Sequence, residues 1–112
     1  MIVISIKRNK NGTIKEFVID GHAGFDKVGK DIVCAGVSAV SGTAIIGLER
    51  LLDINPVITI DSEKGYLKCS LPDDIVENIA EKAQVILETM VLGIRDISEK
   101  HKKFIRLLDK EV

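Results

Sequence analysis

Isoleucines occupy positions 2, 4 and 6, and Val3, Ser5 and Lys7 fall between them. That alternation predicts an opening strand with one face of isoleucine and one mixed face. Asn11-Gly12 follows within "NKNGT", a dipeptide suited to the positive φ angles of a tight hairpin turn. "TIKEFVID" then predicts the returning strand. Its alternation is broken, with Ile14 and Val18 on one face and Phe17 and Ile19 on the other. Partial cover on both faces is expected.

Gly21, Gly24 and Gly29 punctuate the next stretch, which has no proline to stiffen it. Asp31 is placed to cap a helix, because its carboxylate can accept from the orphan N–H groups of the following turn. From there to Leu52 the chain predicts a helix that is apolar nearly all round, through Ala35, Val37, Val40, Ile45 and Leu48. Gly36, Gly42 and Gly47 interrupt it, each costing about 1 kcal/mol of helix propensity. Close backbone packing is the expected return, and this helix is expected to be the central, most buried element.

Asn55-Pro56 breaks the chain before a second hairpin, "VITID" and "GYLKCSL", turning through Ser62 to Gly65. Asp73 and Asp74 are expected to open a long helix. Its apolar stripe runs Ile75, Ile79, Ala83, Ile86, Met90, Ile94 and Ile97 on an otherwise charged surface. The last ten residues, "KFIRLLDKEV", predict a short closing strand. Two ββα units in this order predict an α+β fold. An antiparallel or mixed sheet would pack with two main helices, one buried and one amphipathic. The two units show no sequence repeat.

With 112 residues the expectation is a single domain over 1–112, and 46% hydrophobic residues can supply its core. A formal charge of −1 offers no bulk attraction for nucleic acid or a membrane surface. Three Phe, one Tyr and no Trp leave no stacking platform for single-stranded nucleic acid. Two cysteines are too few for a disulfide framework. Lys7, Arg8, Lys10 and Lys15 break the first twenty residues, which excludes a signal peptide. No apolar stretch is read as approaching the roughly 20 residues of a membrane span. Free thiols in the cytoplasm, without a cofactor, are the expectation.

The chemistry concentrates in "GHAGFDKVGKDIVCAGVSA", residues 21–39. Gly24 to Asp31 is one residue away from a phosphate-binding P-loop, with a strand before it and a helix after. Asp31 stands where the Mg²⁺-binding hydroxyl belongs, and its charge would oppose phosphate. The second pattern is a thiol. With Asp31 as cap, Cys34 lies in the first helical turn, where partial positive charge favours thiolate. His22 can fold back over that turn to act as its base. Asp31 could cap the helix or orient the imidazole. The plain alternatives are a core cysteine and a turn histidine.

Cys69 alternates with Leu67 and Leu71 and is read as core. His101, among Lys100, Lys102 and Lys103, is read as a solvated helix end. These histidines and cysteines have no zinc-ligand spacing, so no metal is expected.

The stretch "DGHAG…GKDIVCAGVSA", Asp20 to Ala39, resembles the ribosomal-processing cysteine protease Prp family, which pairs a G-H-A motif with a D-I-V-C-A motif across a glycine-containing loop. The resemblance implies a cysteine endopeptidase with Cys34 as nucleophile and His22 as general base. Asp31 and Ser38 would support them, and Gly21, Ala23, Gly24, Gly29 and Lys30 would shape the substrate loop. It also implies a homodimer that removes a short N-terminal extension from the large-subunit ribosomal protein numbered twenty-seven. A non-catalytic dimeric peptide-binding or ribosome-associated module is the alternative. Oxyanion donors are expected among main-chain N–H groups near the start of the first helix.

Overall fold

The computed structural model describes residues 1–24 and 31–111, so Gly29 and Lys30 lie outside it. The elements are β1 (Ile2–Arg8), β2 (Ile14–Asp20), α1 (Ile32–Arg50), β3 (Val57–Asp61), β4 (Tyr66–Ser70), α2 (Glu77–Lys100) and β5 (Ile105–Glu111). The five strands form one sheet in the order β3-β4-β2-β1-β5. Both hairpins and the β2–β4 pair are antiparallel, and β5 lies parallel to β1. The fold is α+β with a mixed sheet, and the closing strand forms as expected.

The isoleucines of β1 point into the core with residues of both helices. Strand β2 departs from the reading that set Ile14 on the face opposite Phe17 and Ile19. Lys7 pairs with Glu16 but Arg8 pairs with Ile14, which leaves Lys15 as an extra residue. This bulge shifts the alternation by one. Ile14, Phe17 and Ile19 are therefore all buried, while Val18 is only half-buried on the other face.

The bulge leaves main-chain groups to satisfy, and α2 satisfies them. The Gln84 Oε1 accepts from the Ile14 N–H at 2.7 Å, and its Nε2 donates to the Ile14 carbonyl at 2.9 Å. Next to it Arg8 uses all five of its N–H donors. They reach Glu88 twice (2.6 and 2.8 Å), Asp109 twice (2.7 and 3.0 Å) and the Gly12 carbonyl (2.9 Å). One guanidinium thus ties β1, the first hairpin turn, α2 and β5 together.

Helix α2 begins at Glu77, not at Asp73 and Asp74, which form a turn after Pro72. The turn lets Ile75 pack against the core before the helix starts, and Val76 takes the cap position in extended geometry. The buried stripe gains Leu87 and Val91 beside Ala83, Met90 and Ile94. His101 is half-buried at the C-cap, its N–H bonded to the Ile97 and Ser98 carbonyls, and not simply solvated.

Helix α1 is less buried than its composition suggests. One stripe, Val33, Val37, Ser41, Ala44 and Leu48, faces inward, while Ile32, Ala35, Ala39 and Ile46 are exposed. By length and composition alone this 19-residue helix could cross a membrane, against the expectation that no such stretch exists. Two of its glycines do gain close contact with α2. A Cβ at Gly47 would lie 3.4 Å from Ile86 Cδ1, and one at Gly36 would lie 3.6 Å from Ile97 Cδ1. Gly42 meets nothing within 4 Å.

Hydrogen bonds from Arg8 hold the Glu88 and Asp109 carboxyls below their ordinary range. Groups lowered on folding stabilise fully above the unfolded carboxylate value of about 4, and that stability is lost as pH falls through the lower folded values. Glu88 is partly exposed, so the network is weaker than a fully buried one. Arg8→Met should cost on the order of 2 kcal/mol at pH 7, about 10 °C in Tm. Thermal melts between pH 7 and pH 3 should show a smaller acid loss in the variant than in the wild type. Parallel pH curves would refute the network's role.

Candidate functional site

Asp31 is buried and sits in extended geometry (φ −77°, ψ 103°). Its Oδ1 accepts from the N–H groups of Val33 at 3.0 Å and Cys34 at 3.1 Å. Its carbonyl accepts from the Ala35 N–H at 3.0 Å. Asp31 is thus the N-cap of α1, and Cys34 is the third helical residue, as its spacing predicts. The amides of residues 33 to 35 are all engaged by Asp31. Three amides at the helix start are thus occupied by the cap itself.

The donor that reaches the sulfur comes from elsewhere. The Ala23 N–H, at the end of the G-H-A motif, donates to Cys34 Sγ at 3.2 Å. Ala23 is buried and Cys34 half-buried, so this bond joins the chain after β2 to the first turn of α1. It also favours thiolate, but two effects oppose it. Burial pushes the Cys34 thiol up, and the Asp31 carboxylate pushes it further. Burial and the cap's own charge thus oppose the thiolate that the start of the helix would favour.

His22 is exposed, and its Nε2 lies 3.3 Å from the Glu63 carbonyl in the turn between β3 and β4. The ring is thus engaged by the second hairpin. His22 and Cys34 nevertheless line one cavity of about 460 Å³, with Asp31, Ser38, Gly21 and Gly24. The described site residues read from the sequence, Ala23 apart, all line it. Ala23 contributes its amide. Ser38, one turn beyond Cys34, is exposed at the wall.

Much of the remaining wall was not named as site from sequence: Ile2 and Ile19 from the central strands, Val37 and Ser41 from α1, and Ile60, Tyr66 and Leu67 from the second hairpin. Ile19, Leu67 and Ile60 form one row across β2, β4 and β3. Alternation marks each as inward-pointing, but only the strand order shows that they are neighbours. Cys69 sits one row deeper beside Phe17, fully buried. Burial, then Glu49 and Glu16, push its thiol up to about 12. It is a core residue, as read. Both cysteines are free.

Residues 1–106 match the family model described as cysteine protease Prp. The ribosomal processing cysteine protease Prp of Bacillus subtilis is 32% identical over 107 residues, covering 96% of each chain. Its counterpart in Staphylococcus aureus is 37% identical over 107 residues, covering 96% of this chain and 97% of the relative. The fold matches the crystal structure of an essential ribosomal processing protease Prp from S. aureus in complex with a covalently linked product peptide. That match has a TM-score of 0.88 at 34% identity and covers 98% of this chain and 100% of the other.

Asn caps a helix about as well as Asp but carries no charge. Asp31→Asn should therefore keep the fold and lower the pH at which Cys34 becomes reactive. The alkylation rate of Cys34 against pH reads this directly, and Cys69 should stay inert in both proteins. A midpoint that is unchanged or higher would remove Asp31 from the electrostatics of the sulfur.

Proposed function

The chain belongs to the cysteine protease Prp family, and on that footing we propose an endopeptidase with Cys34 as nucleophile and His22 as general base. One observation carries this reading: Cys34 and His22 line the same largely apolar cavity, and the sulfur already accepts a main-chain hydrogen bond. The relative bound to a covalently linked product peptide supports a nucleophile in this fold.

The chemistry follows from the groups present. As Sγ attacks the scissile carbonyl carbon, His22 takes the thiol proton. The intermediate collapses, and the imidazolium returns the proton to the departing amine. His22 then deprotonates a water that hydrolyses the thioester and restores the thiol. Because burial and Asp31 favour the neutral thiol at rest, proton transfer accompanies attack in this scheme. The Ala23 N–H supports the developing negative charge on sulfur. Ser38 has a supporting role at the cavity wall. Gly21, Ala23 and Gly24 begin the substrate loop, which would continue through Gly29 and Lys30, outside the described residues.

We assign as substrate the N-terminal extension of the large-subunit ribosomal protein numbered twenty-seven. The family resemblance at Asp20–Ala39 and the ribosomal-processing names of the relatives support this. The walls formed by Ile2, Ile19, Ile60 and Leu67 suit an apolar segment. The whole chain would act as one catalytic domain in the cytoplasm, where its two thiols stay reduced. It would act as a homodimer. A groove of about 490 Å³ between α1 and α2, lined by Val40, Leu51, Val85 and Ile86, offers the apolar face for a second copy, and Leu51 and Val85 are 78% and 67% exposed.

An intact-mass time course with a peptide spanning such an extension should give one cut with wild type. Cys34→Ala should give none while keeping its Tm within a few degrees, and His22→Ala should lose at least about a hundredfold. Cutting by clean Cys34→Ala protein would sink the mechanism. No cutting by wild type, with an unreactive Cys34, would favour the peptide-binding module. Val85→Glu should shift the mass by light scattering from two chains to one, and an unchanged dimer would move the interface elsewhere.

A further inference from the structure

The geometry points to the turn between β3 and β4 as the element that orients the catalytic imidazole, with the Glu63 main-chain carbonyl as acceptor and Gly65 as the positioning residue. This inference rests on the proteolytic reading above and extends it to a group outside both sequence motifs.

A carbonyl oxygen can only accept a hydrogen bond. The contact of His22 Nε2 with the Glu63 carbonyl at 3.3 Å therefore assigns the proton to Nε2. Nδ1 then keeps its lone pair and is the nitrogen able to take the thiol proton. In a histidine-assisted nucleophile the second ring nitrogen must be held by something that fixes both tautomer and orientation. Here that something is backbone, and its position depends on how the turn is folded.

The turn is built around Gly65. Its φ is +67°, a conformation that side chains oppose. Its N–H donates to the Ser62 carbonyl at 3.3 Å, and its carbonyl accepts from the Gly21 N–H at 3.0 Å. The second bond fastens the turn to the residue immediately before His22. A Cβ on residue 65 would lie 2.7 Å from the Gly21 carbonyl oxygen and 3.0 Å from His22 Cε1. Any side chain at 65 would push on the strand end that carries the histidine and on the ring itself. Gly65, His22 and Cys34 line the same cavity, so displacement of the ring is displacement within the site.

The test compares Gly65→Ala with Gly12→Ala. Gly12 also has a positive φ (+88°), but a Cβ there meets nothing within 4 Å, and it lies in the other hairpin. Gly65→Ala should lower kcat on the order of tenfold to a hundredfold with KM changed little. It should also shift the pH profile of kcat/KM, while Gly12→Ala keeps both. Nitrogen-15 NMR of histidine-labelled protein supplies the second readout. His22 and His101 are the only histidines, so one substitution assigns them. Wild type should show His22 protonated at Nε2 with Nδ1 as acceptor, and Gly65→Ala should change that pattern.

A folded Gly65→Ala protein with unchanged kcat and unchanged ring shifts would overturn the inference, as would a wild-type ring protonated at Nδ1. Should Gly65→Ala fail to fold, semisynthesis with the α-hydroxy analogue of Lys64 turns the Glu63 carbonyl into an ester, a weaker acceptor of similar shape. The same loss of kcat and the same change in the ring are expected, and their absence would refute the assignment. A wild type that cuts no peptide would count against the proteolytic reading alone, since the NMR measurement judges the ring's placement independently.

Discussion

One oxygen of Asp31 accepts from the amides of Val33 and Cys34, and the position of the sulfur follows from it. Without the cap the first turn of α1 would have unpaired N–H groups in a half-buried setting, and Cys34 would lie in a fraying end. With it, Sγ is held where the Ala23 amide can reach it. The same carboxylate raises the thiol it positions. Geometry and electrostatics thus pull in opposite directions at a single residue. A half-buried thiol that ionises reluctantly would need any base close and correctly oriented.

That need shifts attention from the first half of the chain to the second. The motif residues supply a sulfur and an imidazole, yet the ring is engaged by the β3–β4 turn, and half of the remaining apolar wall comes from the same hairpin. The site is assembled between the two ββα halves, with β4 beside β2 as the hinge of the arrangement.

Elements with strong local signals were legible in the sequence. Asn11-Gly12, the isoleucine alternation of β1, the Asp31 cap and the stripe of α2 each follow from contacts within a few residues. What stayed hidden depends on non-local pairing. The bulge at Lys15 arises only against β1, and it turns an ambiguous alternation into one buried face. Composition made α1 look central, but one helix face suffices to meet the sheet and α2, and the other keeps its apolar residues outside. The delayed start of α2 reflects Ile75 packing on the core, which outweighed two aspartates that looked like caps. At the site, Cys34, His22 and Asp31 were readable because their chemistry is carried by residue type. Ile60 and Leu67 were not, because ordinary residues become wall only through strand order, and Gly65, legible as a turn, meets His22 only once β4 lies beside β2.

Strand β1 has its two ends in different kinds of surroundings. Ile2 borders the cavity, while Arg8 gathers its five hydrogen bonds some 20 Å away at about 3.3 Å per residue. The durability of the fold and the fit of the substrate are therefore written in separate neighbourhoods of one short strand. Lineages facing hotter or more acidic surroundings can rework the guanidinium end without disturbing recognition. At the other end Ile2 is both wall and core, so a change in the peptide to be cut is met more cheaply at exposed wall residues such as Ile60.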